Sequence, residues 1–267
     1  MISFNSLGNL GRLGNQMFQY ASLKGIARHR GMDFCIPPEK IFGHVDVAVR
    51  NSDTNLYDCF NLQHVNQNIC NYTRLIESTF CFDENLYNTC PSSVDLFGYF
   101  QTEKYFKEIE SEIREDFKFK EEIHRISKET FTELFSNQKV ISLHIRRGDY
   151  LTNLNHPVQS LKYYENALSY FDDDIPVIIF SDDPYWCNDQ QLFESDRFII
   201  SYGQDTKIDL CLMTMCSYHI IANSSFSWWG SYLANSEKTI APKLWFGDEL
   251  SKVKSTQDLY LNNWIVI

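Results

Sequence analysis

Val140-Ile141-Ser142-Leu143-His144-Ile145-Arg146-Arg147-Gly148-Asp149, residues 140–149, reads as a strand that runs directly into a polar, charged tail. Side chains on a strand alternate with period two, so Ile141, Leu143 and Ile145 share one face while Ser142, His144 and Arg146 share the other. Two further apolar runs end the same way: Val177 to Phe180 leads into Ser181-Asp182-Asp183, and His219 to Ala222 leads into Asn223-Ser224-Ser225. Between them lie helical patterns over Leu161 to Phe171, Pro184 to Phe193, Ile208 to Cys216 and Phe226 to Leu233, with further strands at Phe198 to Ser201 and Thr239 to Ala241. Strands alternating with helices of this size imply right-handed crossovers and a parallel sheet covered on both faces. In such open sheets ligands bind outside the carboxyl ends of the strands, which gathers the three polar tails at one crevice.

This half of the chain is therefore expected to be a Rossmann-like α/β domain. Upstream the pattern is less regular. Met1 to Phe4 is a short candidate strand, followed by a turn at Gly8, Gly11 and Gly14 and a helix from about Asn15 to His29. The glycine spacing is not that of a dinucleotide fingerprint, and a plain turn is the alternative to a ligand loop. Residues 35–100 have no sustained period apart from a candidate strand at Val94 to Tyr99. Tyr105 to Phe135 carries Phe106, Ile109, Ile113, Phe117, Ile123, Ile126 and Leu134 among charges, an amphipathic helix broken once. The polar stretch that follows sets the expected division: residues 1–138 as one domain and 139–267 as a second, with the last helix crossing back.

Composition bounds the class. A chain of 267 residues, 43% hydrophobic and 15% aromatic, has the apolar surface for large cores and is not a disordered sequence. A net charge of -11 without any basic run opposes nucleic-acid binding, which needs clustered Lys and Arg. The eight cysteines contain no C-x-x-C pair, so neither a zinc ribbon nor a thiol redox centre is indicated. No signal peptide and no apolar stretch of about 20 residues is present, which leads to an expectation of cytoplasmic location, peripheral to a membrane at most.

The tails suggest chemistry, each with a plainer alternative. Arg146 at a strand end suits a phosphate, since guanidinium donates in a bidentate fork; alternatively Arg146 and Arg147 pair with Asp149 and other carboxylates. Asn223-Ser224-Ser225 opens a helix whose expected buried stripe is Phe226, Trp229, Gly230 and Leu233. A helix start of this kind receives anions on its exposed N–H groups, or is simply capped. Asp182 and Asp183 are either a divalent-metal pair or helix caps, and no third acidic ligand has an obvious place, so no metal is expected. Asp209 is a candidate acceptor for guanine N–H groups or a helix-start carboxylate. Asp149 is a candidate general base or an ion-pair partner.

Together, Gly11-Arg12-Leu13-Gly14-Asn15-Gln16-Met17-Phe18-Gln19-Tyr20-Ala21, His144-Ile145-Arg146-Arg147-Gly148-Asp149-Tyr150, Phe180-Ser181-Asp182-Asp183 and Ile221-Ala222-Asn223-Ser224-Ser225-Phe226-Ser227-Trp228-Trp229-Gly230 resemble the motif set of the bacterial-type α-1,2-fucosyltransferases. The resemblance runs from residue 11 to 230 and is weak over roughly 35–135. It implies a GT-B-like architecture of two Rossmann-like domains facing a cleft, the N-terminal one on the acceptor side and the C-terminal one binding the donor. It further implies an inverting, metal-independent transfer of L-fucose from GDP-fucose to a glycan hydroxyl, the 2-OH of a terminal galactose, with no cofactor. The alternatives are a transferase using another nucleotide sugar or linkage, and a non-catalytic GDP-sugar or glycan-binding protein. By the same resemblance His144 and Asp209 recognise guanine, and Arg146 binds the β-phosphate. Ser224, Ser225 and the Phe226 backbone, with Asn223, hold the pyrophosphate, and Gly14 and Asn15 approach the diphosphate from the glycine turn.

Overall fold

A computed structural model describes residues 1–38, 54–66, 71–136, 138–202 and 205–267; Cys70 lies outside them. The chain divides into two compact units, Met1–Lys120 with Lys254–Leu261 and Glu121–Val253 with Asn262–Ile267.

The first unit holds β1 (Ile2–Ser3), α1 (Leu13–His29), β2 (Phe34–Cys35), α2 (Leu56–Cys59), β3 (Thr73–Ile76), α3 (Glu84–Thr89), β4 (Val94–Phe97) and α4 (Glu110–Asp116). Its strands form a parallel sheet in the order β2-β1-β4-β3. β2 and β3 were not legible in the sequence: one is two residues long, and the other is mostly exposed. α1 is buried from Leu13 to Ala27 except at Asn15. Its Gly25 lies against the Tyr105 carbonyl so closely that a Cβ would strike the backbone, which fixes glycine there. The returning segment Lys254–Leu261 contains no helix and is tied down by Asp258, which accepts from the Phe82 N–H at 2.9 Å and pairs with Lys104 at 2.6 Å.

The amphipathic stretch is broken at 117–120, where Phe119 bridges Phe60 in antiparallel sense and the Lys120 N–H donates to the Cys59 carbonyl at 2.9 Å. The second unit begins after that break with α5 (Glu121–Phe135), which the sequence reading had grouped with the first half. It then contains β5 (Ile141–Ile145), α6 (Leu161–Leu168), β6 (Val177–Ser181), α7 (Pro184–Asn188), β7 (Phe198–Ile200), α8 (Thr206–Met215), β8 (Tyr218–Ile220), α9 (Ser225–Ala234), β9 (Lys238–Ala241), α10 (Asp248–Ser251) and β10 (Ile265–Val266). α5 buries Ile123, Ser127 and Phe135 and packs on α8, and that contact assigns it to this unit.

All six strands are parallel, in the order β10-β9-β8-β5-β6-β7. The chain winds outward from β5 through β6 to β7, then returns through α8 to β8 on the other side of β5. The order reverses between β5 and β8, and that switch point is where the carboxyl ends part to leave a crevice. Ile141, Leu143 and Ile145 enter one core with Tyr164, Ala167, Ile179 and Cys187. On the other face His144 meets α9, its ring 5.6 Å from that of Phe226. α9 differs from the expected stripe. It buries a continuous run from Ser227 to Tyr232, while Phe226 and Leu233 stay half-buried. Gly230 explains the tight fit against α8, since a Cβ there would stand 2.9 Å from Met213. Among the described residues no helix is long and apolar enough to cross a membrane.

Candidate functional site at the carboxyl ends of the strands

The tail of β5 carries two arginines with opposite fates. Arg147 leaves the crevice: its guanidinium lies 3.8 Å from the Trp186 ring centroid and pairs with Asp183 at 3.0 Å. Its backbone N–H donates to Asp182 Oδ1 at 2.8 Å. Arg146 pairs with Asp149 through Nη2 and with Asp182 through Nη1 at 3.1 Å, and its guanidinium sits 5.4 Å from the Tyr150 ring. The sequence had offered phosphate binding and carboxylate pairing as alternatives. The geometry shows the pairing, and it places a planar cation at the switch point.

The β6 tail resolves the two aspartates into separate tasks. Asp183 is the N-cap of α7, accepting from the Trp186 N–H at 3.3 Å ahead of Pro184 at the first helical position. Asp182 holds the β5 tail, so its oxygens serve arginine and backbone. Among the described residues no group of three His, Cys, Asp or Glu side chains converges as a metal site would require.

The β8 tail prepares a helix terminus. Ser224 is the N-cap of α9, its hydroxyl accepting from the Phe226 N–H at 3.4 Å. That bond is longer than the ordinary N–H to oxygen distance, so the Phe226 amide remains available to a better acceptor. Ser225 forms the first turn beside it. Asn223, one position before the Ser224 cap, uses its side-chain nitrogen within the fold. Its Nδ2 donates to the Pro157 and Trp245 carbonyls, both at 3.0 Å, so its amide organises neighbouring loops. The Tyr150 hydroxyl donates to the Asn223 carbonyl at 3.1 Å and thereby ties the β5 tail to the β8 tail. Sequence reading had left Tyr150 without a role.

His144 is buried, and burial, with Arg146 nearby, pushes its pKa down to about 3. It is neutral throughout the physiological range. Its Nδ1 lies 2.9 Å from Ser227 Oγ, and that hydroxyl donates to the Ser224 carbonyl at 3.3 Å. Ser227 has a single proton to give, and when the Ser224 carbonyl receives it, Nδ1 is the donor to Ser227 and Nε2 keeps a lone pair. Ser227 is thus a residue of the site that the sequence reading used only as motif. Asp209, in the first turn of α8, accepts from Ser201 Oγ at 2.9 Å. Burial raises its pKa to about 7, against the opposing hydrogen bond from Ser201.

In the first unit the glycine turn is built by α1 itself. Gln16 Nε2 donates to the Gly11 carbonyl at 3.0 Å, and its Oε1 accepts from the Leu56 N–H at 3.1 Å. Gln19 Nε2 donates to the carbonyls of Leu10, at 2.9 Å, and Gly98, at 3.1 Å. Gly11 has φ +74°, and the Asn15 amide lies where its Cβ would be, at 2.5 Å, so two independent reasons demand glycine. Asn15 Oδ1 accepts from Gln101 Nε2 at 2.6 Å, and Gly14 is buried in the first helical turn. The glutamines of this motif are therefore scaffold.

The model of Glycosyl transferase family 11 matches residues 2–267. An alpha-1,2-colitosyltransferase of Escherichia coli is 31% identical, over 90% of this chain and 91% of that protein. Galactoside alpha-(1,2)-fucosyltransferase 2 of Sus scrofa is 25% identical, over 98% of this chain and 79% of that protein. Among solved structures, the NodZ alpha-1,6-fucosyltransferase soaked with GDP-fucose aligns with a TM-score of 0.57 at 13% identity, covering 91% of this chain and 94% of that one. POFUT1 in complex with GDP aligns with a TM-score of 0.53 at 13% identity, covering 88% and 94%. These likenesses establish a GT-B-like α/β fold with parallel sheets.

Proposed function

The chain belongs to glycosyl transferase family 11, and from that premise we propose that it moves L-fucose from GDP-fucose to the 2-OH of a terminal galactose on a glycan. The reading includes inversion at the anomeric carbon, no metal, no cofactor and a cytoplasmic enzyme. One observation carries it: a planar cation, Arg146, and the capped N-terminus of α9 lie on adjacent tails at the switch point of the second unit.

As the bond from fucose C1 to the phosphate oxygen breaks, negative charge grows on the departing GDP. Donors aimed at that charge stabilise the transition state more than the ground state. Arg146 and the Phe226 amide are such donors, with Ser224 and Ser225 as hydroxyl partners. A neutral His144 presents its Nε2 lone pair to an N–H or hydroxyl of the nucleoside. Asp209, once ionised, accepts from guanine N1–H and its exocyclic amine. Asn15 and Gly14 are assigned to the diphosphate, which Asn15→Ala tests through the donor KM. Asp149, held by Arg146, serves as the base only after that pair opens. The first unit is the acceptor-side domain in this reading and the second the donor-binding domain.

The test is to incubate the protein with GDP-fucose and a β-galactoside-terminated glycan, with and without EDTA. An α-1,2-fucosylated product formed equally in both arms is expected. No product with any β-galactoside, or loss of product with chelator, overturns the acceptor or the metal-free part respectively. A second donor is favoured by one finding, the 31% identity to a colitosyltransferase, so a panel of nucleotide sugars belongs in the same assay. Turnover with another donor and none with GDP-fucose would replace the first reading.

A further inference from the structure

We propose that Asp182 is the positioning residue of Arg146, and that Asp149 is the partner a phosphate displaces. The inference rests on the reading of Arg146 as a phosphate-binding group and assigns a task to the β6 tail.

Arg146 has two carboxylate partners that differ in how they are held. Asp182 stands at the end of β6, whose pairing with β5 places Ser181 opposite Ile145. Asp182 Oδ1 takes the Arg147 N–H at 2.8 Å, while Oδ2 faces Arg146 Nη1 at 3.1 Å. One carboxylate thus clamps the backbone after Arg146 and the side chain of Arg146 together. Its Oδ2 also occupies the space next to Gly148 where a Cβ would stand, so only glycine at 148 leaves the carboxylate in place. Asp149 sits in the 3-10 turn Gly148–Leu151 and pairs with Nη2 from a more open position, its side chain 45% exposed against 25% for Asp182.

Two carboxylates on one guanidinium leave a net negative spot, which a phosphate enters only if one of them withdraws. The turn-borne Asp149 is the more exposed of the two, so water replaces its pair with Arg146 more readily than it replaces that of Asp182. Asp182 cannot leave without releasing the Arg147 amide. Displacement of Asp149 frees the Nη2 edge for a phosphate oxygen, and Asp182 keeps the plane of the fork fixed meanwhile. A positioned donor loses less freedom when the leaving group becomes charged, and misplacement of about 1 Å costs on the order of 100-fold in rate.

The variant Asp182→Asn keeps an oxygen for the Arg147 N–H and removes the charge facing Arg146. Two readouts separate positioning from a merely structural role. In nitrogen-resolved NMR spectra of the arginine side chains, with Arg146 assigned from Arg146→Lys, the Nη protons of Arg146 exchange rotational sites slowly in wild type. Asp182→Asn makes that rotation fast while the melting temperature holds; unchanged Arg146 rotation in Asp182→Asn overturns the proposal. In kinetics with GDP-fucose, Asp182→Asn lowers kcat about 30-fold with a smaller change in KM, and has no further effect in the Arg146→Lys background. Equal factors in both backgrounds overturn it. Asp149→Asn tightens GDP binding, and weaker binding overturns the displacement. If wild type neither binds GDP nor uses GDP-fucose, the donor reading falls while the NMR readout still decides the task of Asp182.

Discussion

Adjacent arginines make the clearest contrast at the scale of single residues. Arg147 is consumed by the Trp186 ring and Asp183, whereas Arg146 stands on the crevice. Arg146→Ala is expected to lower kcat with GDP-fucose by about 100- to 1000-fold and to leave the melting temperature near wild type. Arg147→Ala is expected to lose about 1–2 kcal/mol of stability in a urea melt, through lost stacking and pairing, with a far smaller effect on turnover. Asp209 gives a pH signature. Its pKa stands at about 7 because of burial, and guanine N–H groups favour the carboxylate. GDP affinity should therefore rise as pH rises to about 7 and level off beyond, with the slope absent in Asp209→Asn; calorimetric titration of GDP from pH 6 to 8 measures it. For folding the sign is opposite. The folded chain keeps a proton that the unfolded chain releases above 3.8, so this group's contribution to stability falls between there and about 7.

Elements here are held by close approaches that no polar contact could replace. α9 lies on α8 through Gly230, and α1 passes the Tyr105 carbonyl through Gly25. The two substitutions to alanine are expected to differ in a denaturant melt. At 230 the added methyl meets Met213 at both Cβ and Sδ, 2.9 Å away, of which the sulfur can turn aside and Cβ yields only if α8 shifts slightly, and it costs about 2 kcal/mol. At 25 it meets backbone, which cannot turn aside, and costs about 3 kcal/mol. The opposite order would show that α1 shifts more freely than its burial implies. Ser224→Ala removes the cap of α9 and is expected to cost about 1 kcal/mol while also weakening GDP, since cap and ligand use the same terminus.

For the whole molecule, the consequence of a donor site in one unit is linkage. A ligand that binds only the folded second unit raises its stability by about 2.7 kcal/mol at 100 times Kd. GDP at that excess should shift the melting transition by about 5–10 °C, and the shift should be smaller in Arg146→Ala. A shift equal in both proteins would move the nucleotide away from the switch point. The same experiment with EDTA present reports on the metal-free part of the proposal.

Alternating patterns and polar strand ends were enough for the sequence to specify five of the six strands of the second sheet and their crevice, because period-two and period-3.6 burial are local properties of a chain. They also bring the three polar tails side by side, since strand ends in a parallel sheet share one side. β2 and β10, two residues each, are too short to leave such a signal, and the mostly exposed β3 has no buried alternation to show. Which unit owns α5 depended on a helix far along the chain, α8, and no local pattern carries that information. Partner choice was decided at the tertiary level as well. Arg146 and Arg147 are neighbours of identical chemistry, and only the positions of Trp186, Asp183 and Asp182, brought alongside by the pairing of β5 with β6, send one into a packed stack and leave the other at the crevice.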